Sequence, residues 1–266
     1  KFTNKKIVNG WIIPPKWDVL EATIIHNKKI ILDGAVNKLS VIALSKPFEG
    51  SVNLKELKKH LYFDVRFKNA IPYHFRFMYQ SWKRDWGFCV PYNFINKLKN
   101  GNYKIKIKTK EEEGVLKVLE YNLKGSSKKT FVFVAHLDHP GMSNDNLSGC
   151  ALGIQLFKIL KKRKLKFSYS LILTQEIIGS EYYLNSLNKI KRNNIIDSLC
   201  LDTLGSKTSI SIQSSFKNES NIEYFLCQSM KELKIKFKKR KYKEVIGNDE
   251  NTWESYGIPM STFTRF

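Results

Sequence analysis

Apolar residues are spaced in two different ways along the chain, and the change falls near Gly114. From about Asp18 to Lys110 the apolar runs are short, aromatic and broken by turn formers. ATIIHNKKIILDG predicts a hairpin, LSVIALS a further short run, and NLKELKKHL a short helix capped by Asn53. This stretch reads as a small, mostly β module. Beyond Gly114 longer hydrophobic runs alternate with amphipathic ones. VLKVLEYNL, TFVFVAHL, SYSLILTQ, IIDSLCLDTLG and GIPMSTF read as strands; LSGCALGIQLFKILKK, SEYYLNSL and ESNIEYFLCQSMKEL read as helices. Alternation of this kind predicts an α/β fold with a mainly parallel, mixed sheet sandwiched by helices. The domain plan is residues 1–17 as an N-terminal segment of the larger domain, 18–110 as an inserted β module, and 111–266 as the rest of the larger domain.

Polar residues fall at telling places in this pattern. FVFVA ends at once in His136, LILT in Gln175 and Glu176, and SLCL in Asp202. Three buried strands thus deliver their first polar side chains at their C-terminal ends, where open α/β sheets bind ligands. The loop HLDHPGMSNDNLSG adds Asp138, His139, Asn144, Asp145 and Asn146 before a helix expected to begin at about Leu147. Histidine and carboxylates converging on one edge suit zinc, whose usual nitrogen and oxygen ligands these are. Singly, each residue has a plainer reading: His136 as a satisfied strand-end histidine, Asp145 and Asn146 as helix caps, Asp202 as a turn former. Together those readings weaken, because capping needs no His-x-Asp upstream and no acid at the ends of two further strands.

Composition narrows the picture. With 266 residues, 42% of them hydrophobic, the chain can build one large α/β domain or a core domain carrying a smaller one. A net charge of +22 invites a nucleic-acid reading, yet lysines are spread throughout and no helix-turn-helix, zinc-finger or RNP-like pattern accompanies them. No specific nucleic-acid partner is expected. The densest runs, KKRKLK and KIKFKKRKYK, remain candidates for contact with an acidic partner, a polyanionic glycan or a membrane surface. No segment has the roughly 20 uncharged apolar residues of a membrane helix, and KFTNKK lacks the apolar stretch of a secretory signal, so a cytoplasmic protein is expected. Cys89, Cys150, Cys200 and Cys227 lack CxxC spacing and read as reduced thiols. The sequence does not set the oligomeric state and is compatible with a homo-oligomer.

HLDHPGMSNDNLSG resembles the H-x-D and (N/D)-D-(N/D)-x-S-G elements of co-catalytic dizinc aminopeptidases, which have the zinc exopeptidase fold. IIGSEYYL after Gln175 and Glu176 resembles their acidic-pair segment, LDTLG their third ligand segment, and NDENTWESYGIPM the segment before their final histidine. The N-terminal half is similar to a narrower aminopeptidase-like group, through Trp11 to Trp17 (W-x-I-P-x-x-W), AIPYHFRF, DWGFC and NGNYKIKI. Its aromatic cluster, Tyr73, Phe75, Phe77, Tyr79, Trp82, Trp86 and Phe88, is expected to form the module's core or packing face.

The resemblance implies one or two Zn2+ ions. His136, Asp145 and Asp202 would form one metal site, with Asp145 bridging to a second ion and Asp138 orienting the His136 ring. His139 would help bind substrate or fill the loop, and Asn146 and Glu250 are further substrate-contact candidates. Glu176 is either the general base or a metal ligand, because only one carboxylate stands where the family has two adjacent glutamates; Glu181 and Glu250 are nearby acids that would compensate. None of the five histidines lies after His139, so either the protein continues beyond Phe266 to a further ligand or it binds one metal. The implied activity is metal-assisted hydrolysis of a peptide, or of a small amide next to a free amine, with Glu176 moving the proton. Deacylation of an amino-bearing metabolite and a catalytically degenerate scaffold for protein or glycan-precursor recognition are the alternatives.

Overall fold

Residues Lys16–His26 (β1) and Lys29–Asp33 (β2) pair antiparallel across a two-residue turn at Asn27 and Lys28, both left-handed with φ 50 and 62. That geometry matches the twist of the strands it joins, and Asn tolerates it well. Phe48–Asn53 (β3) leads into Leu54–Lys59 (α1), where the Asn53 side chain accepts a hydrogen bond from the Glu56 amide at 2.9 Å. Asn102–Glu112 (β4) completes an antiparallel sheet of order β2-β1-β4-β3. In β4 the alternation NYKIKIK buries Tyr103, Ile105 and Ile107 and turns the lysines outward. The structure, a computed structural model, describes residues 1–3, 6–75, 77 and 80–266.

Within this unit of residues 14–114, Trp86 stacks between Phe48 and His60 at centroid distances of 4.3 and 3.8 Å. Of the aromatic cluster, Phe77, Trp86 and Phe88 are buried, whereas Tyr73, Phe75 and Trp82 are exposed and Tyr79 lies outside the described residues. LSVIALS is not a strand. Val41 makes one isolated bridge to Phe88, and Leu44 turns left-handed at φ 59, so the run is buried without entering a ladder.

Residues 1–13 and 115–266 form the second compact unit. Its seven-stranded sheet is built from Leu119–Leu123 (β5), Thr130–His136 (β6), Ser168–Thr174 (β7), Ile195–Asp202 (β8), Ile210–Gln213 (β9), Phe237–Arg240 (β10) and Met260–Arg265 (β11). Its helices are Gly149–Leu160 (α2), Ile178–Ser186 (α3), Lys189–Asn194 (α4), Asn221–Glu232 (α5) and Glu250–Ser255 (α6). The sheet order is β10-β9-β11-β8-β6-β7-β5: β11, β8, β6 and β7 run parallel in the middle, and β5 and β9 run antiparallel to their inner neighbours. This is the mixed α/β sheet with flanking helices that the alternation predicts.

Both faces of the sheet are covered. Tyr183 and Leu184 of α3 and Trp253 of α6 pack on Val132, Val134, Ile172, Cys200 and Met260. Phe157 and Cys150 of α2, with Ile222 and Leu226 of α5, pack on Phe133, Ala135, Leu171, Leu199 and Leu201. Burial on both faces explains the unbroken apolar runs of the central strands. The charge run KIKFKKRKYK contains edge strand β10, where lysines on an outermost strand disfavour pairing with another chain. Among the described residues no helix is long and apolar enough to cross a membrane.

Candidate metal centre

β6, β7 and β8 are parallel neighbours, so their C-terminal ends open on the same edge. His136 stands at the tip of β6 and Asp202 at the tip of β8, both buried. Asp145 reaches them from the loop between β6 and α2. Ligand-competent atoms of His136, Asp145 and Asp202 lie within 4.8 Å of one another. His136 Nε2 is 2.8 Å from Asp145 Oδ1, yet this contact lacks hydrogen-bond geometry, and Asp202 Oδ1 is also buried without a hydrogen-bond partner. Orphaned buried polar atoms are uncommon, and each costs on the order of 1–3 kcal/mol. Two of them on residues whose ligand atoms gather with a further carboxylate fit a divalent cation, since zinc bonds of about 2 Å separate neighbouring donors by little more than 3 Å.

A buried amide holds this arrangement together. Asn146 is fully buried; its Oδ1 accepts from the amides of Gly149 and Thr203, both at 3.1 Å, and its Nδ2 donates to Leu201 O at 2.7 Å while lying 3.3 Å from His136 Nδ1. One side chain therefore ties the β6 histidine, the tip of β8 and the first turn of α2. Thr203, directly after Asp202, is left-handed at φ 49, an unfavourable state for a β-branched residue that the Asn146 bond helps to hold.

The same device recurs after Glu176. Ile177 has φ 58 and ψ −64, and the Ile178 amide donates to Glu176 O at 2.6 Å, closing a γ-turn with a left-handed centre. Two carboxylates hold this turn: Asp138 Oδ2 accepts the Glu176 amide at 2.8 Å, and buried Asp249 accepts the Ile177 amide at 3.1 Å. Asn248 Nδ2 donates to Glu176 Oε1, and that oxygen lies 3.5 Å from His136 Nδ1.

The site is crowded with acid. Burial, reinforced by Asp145, Glu176, Glu250 and Asp249, pushes Asp202 up to about 8. Burial likewise pushes Asp249 up to about 7, against hydrogen bonds from Ser180 and the Ile177 amide, and raises Glu250 and Glu176. A bound cation offsets such crowding.

A model of the family described as Domain of unknown function (DUF4910) matches residues 4–266. The chain belongs to that family. It is 33% identical over 189 residues to a Clostridium acetobutylicum protein provisionally named for polysaccharide biosynthesis and an aminopeptidase-like domain, a match covering 71% of this chain and 42% of that protein. A crystal structure from the same organism, provisionally named a peptidase, superposes with a TM-score of 0.87 at 27% identity, over 99% of this chain and 62% of that one. The chain thus spans less than two thirds of both. A zinc aminopeptidase from Bacillus subtilis superposes at 0.67 and 12% identity, over 95% of this chain and 75% of that one, and shares the fold.

In this DUF4910 chain the structure brings His136, Asp145, Asp202 and Glu176 together, with His139 Nε2 3.4 Å from Asp145 Oδ2. Asp138 is placed differently from the expectation: its oxygens take the amides of His139 and Glu176, so it braces the loop and the turn, while the neighbours of His136 Nδ1 are Asn146 and Glu176. Asn146 and Glu250 are interior. Glu250 accepts from the Asn248 amide at 2.7 Å and from Thr262, which leaves both residues as braces rather than substrate contacts. Glu181 is engaged by Asn9, Thr252 and Tyr256. The sequence pattern did not single out Asn248, Asp249 or Gly149; for the first two the polar run NDEN, which leads into α6, was the available signal.

Proposed function

We propose that this DUF4910 chain is a zinc-dependent, aminopeptidase-like hydrolase that cuts an amide next to a free amine. The observation that carries it is the gathering of ligand atoms of His136, Asp145 and Asp202 within 4.8 Å of one another, where His136 Nε2 and Asp202 Oδ1 are buried without a hydrogen-bond partner. His136, Asp145 and Asp202 would hold the zinc, which when bound supplies Lewis acidity toward water and the scissile carbonyl.

The chain's own residues account for the rest. Glu176 is the base: its side chain is 31% exposed, open enough to meet water, and burial raises its affinity for a proton. With Oε1 held by Asn248, Oε2 receives the proton and passes it to the departing amine. Asp138 and Asp249 fix the backbone on either side of that carboxylate, keeping it aimed. The surplus of carboxylates favours an ammonium group in the substrate, which supports a free N-terminus or an amino-bearing small amide as the bound partner.

The test is hydrolysis of a panel of aminoacyl anilides, together with zinc analysis. Glu176→Gln should lower kcat by about 10²–10⁴-fold while zinc is retained. Zinc retention with no turnover by the unmodified chain on any substrate would instead point to a binding scaffold.

A further inference from the structure

His139 stands on the far side of Asp145 from His136. Its Nδ1 is 3.2 Å from Pro140 O, a group that only accepts, so a hydrogen bond there needs the proton on Nδ1, and the neutral ring then presents a lone pair at Nε2. That Nε2 is buried, has no hydrogen-bond partner, and faces Asp145 Oδ2 at 3.4 Å. In the neutral ring these are two acceptors facing each other across the gap, an arrangement that a cation between them relieves. The same carboxylate turns its other oxygen to His136 Nε2 at 2.8 Å, equally without hydrogen-bond geometry. Asp145 therefore offers one oxygen to each of two imidazoles. A carbonyl on one ring nitrogen with the other left free is the usual arrangement behind a metal-bound histidine. The ring is 27% exposed, which leaves an entry path for an ion, and Asp138 adds a carboxylate whose nearest ligand atom lies within 4.8 Å of both imidazoles.

We infer that His139 is itself a metal ligand: through Nε2, with Asp145 Oδ2, it holds a divalent cation beside the one assigned to His136, Asp145 Oδ1 and Asp202. The inference rests on the metal reading above and adds a ligand to it. It predicts a stoichiometry, so its test does not depend on knowing the substrate.

The experiment is titration of the metal-free chain with Zn2+ against a chromophoric chelator, with elemental analysis after dialysis, on the unmodified chain, His139→Ala and His136→Ala. The unmodified chain should hold two equivalents and His139→Ala one equivalent fewer, and imidazole added to His139→Gly should restore the missing one. Thermal melts of the metal-free proteins should coincide, because the ring packs in a partly exposed loop and its loss leaves the core intact. If His139→Ala holds the same equivalents at the same affinity while His136→Ala loses zinc, the inference falls and the metal reading stands. If the unmodified chain binds no zinc, both fall.

Discussion

Ile177 and Thr203 place a left-handed, β-branched residue directly after a site carboxylate, and each is held by a buried side chain that accepts its backbone amide. A strained turn keeps a side chain aimed only if its anchor outweighs the relaxation, which makes Asp249 a sensitive position. Its carboxyl is pushed up to about 7 by burial, from an ordinary 3.8, against hydrogen bonds that favour the ion. Between about pH 4 and 7 the folded, metal-free chain therefore binds a proton there that the unfolded chain has released. The contribution of this group to stability falls as pH rises through that window. Asp249→Asn, which keeps an acceptor for the Ile177 amide but cannot ionise, should flatten the fall. Urea melts of the metal-free protein from pH 4 to 8 measure it, and an unchanged slope would remove Asp249 as its source. The sequence pattern made His136, Glu176 and Asp202 legible because each ends or follows an apolar run, and Asp145 through its place in the polar loop HLDHPGMSNDNLSG. It could not expose Asn146 as a brace or Asp249 as an anchor, since their function lies in backbone contacts 72 positions away for Asp249 at Ile177 and 57 for Asn146 at Thr203.

At the scale of elements, the site is a matter of how closely α2 approaches the tip of β8. A side chain at Gly149 would place its Cβ 2.2 Å from Leu201 O and 2.5 Å from Asn146 Oδ1, one a strand carbonyl and the other a saturated buried amide. Neither yields without moving Asp202. Gly153, one turn further along α2, faces the Leu171 side chain at 2.7 Å, which can repack. Gly149→Ala and Gly153→Ala should each cost about 1–3 kcal/mol in stability. Only Gly149→Ala should weaken zinc binding, and a chelator competition showing equal effects would separate the helix approach from the metal site. These close approaches explain why element type was readable and element edges were not. TFVFVAH and SYSLILT are apolar enough to declare buried strands. Strand β9, ISIQ, alternates apolar and polar over only four residues, and β10, FKKR, carries one apolar residue, so each is too short or too basic to stand out without the neighbour that supplies its ladder. The loop before α2 reads as helix from Leu147, but Asn146 takes the Gly149 amide and regular helix starts at Gly149.

Over the whole molecule the two units differ in what a metal can do for them. The unit of residues 14–114 closes its own core around Trp86, Phe88 and Tyr103, and none of His136, His139, Asp145, Glu176 or Asp202 belongs to it. The unit of residues 1–13 and 115–266 carries the whole cluster, and without a cation it must confine several carboxylates against their repulsion and burial. A ligand that binds only the folded form adds RT ln(1 + [L]/Kd), about 2.7 kcal/mol at a hundredfold excess over Kd. For a unit of this size that corresponds to a rise of roughly 5–10 °C in Tm. Calorimetry of the chain with chelator and then with zinc should accordingly show one transition that rises and one that stays, and proteolysis near the zinc-dependent midpoint should leave the 14–114 unit the more resistant when zinc is absent. Parallel movement of both transitions would mean that the units unfold together, and no movement of either would remove the cation from the stability of the fold.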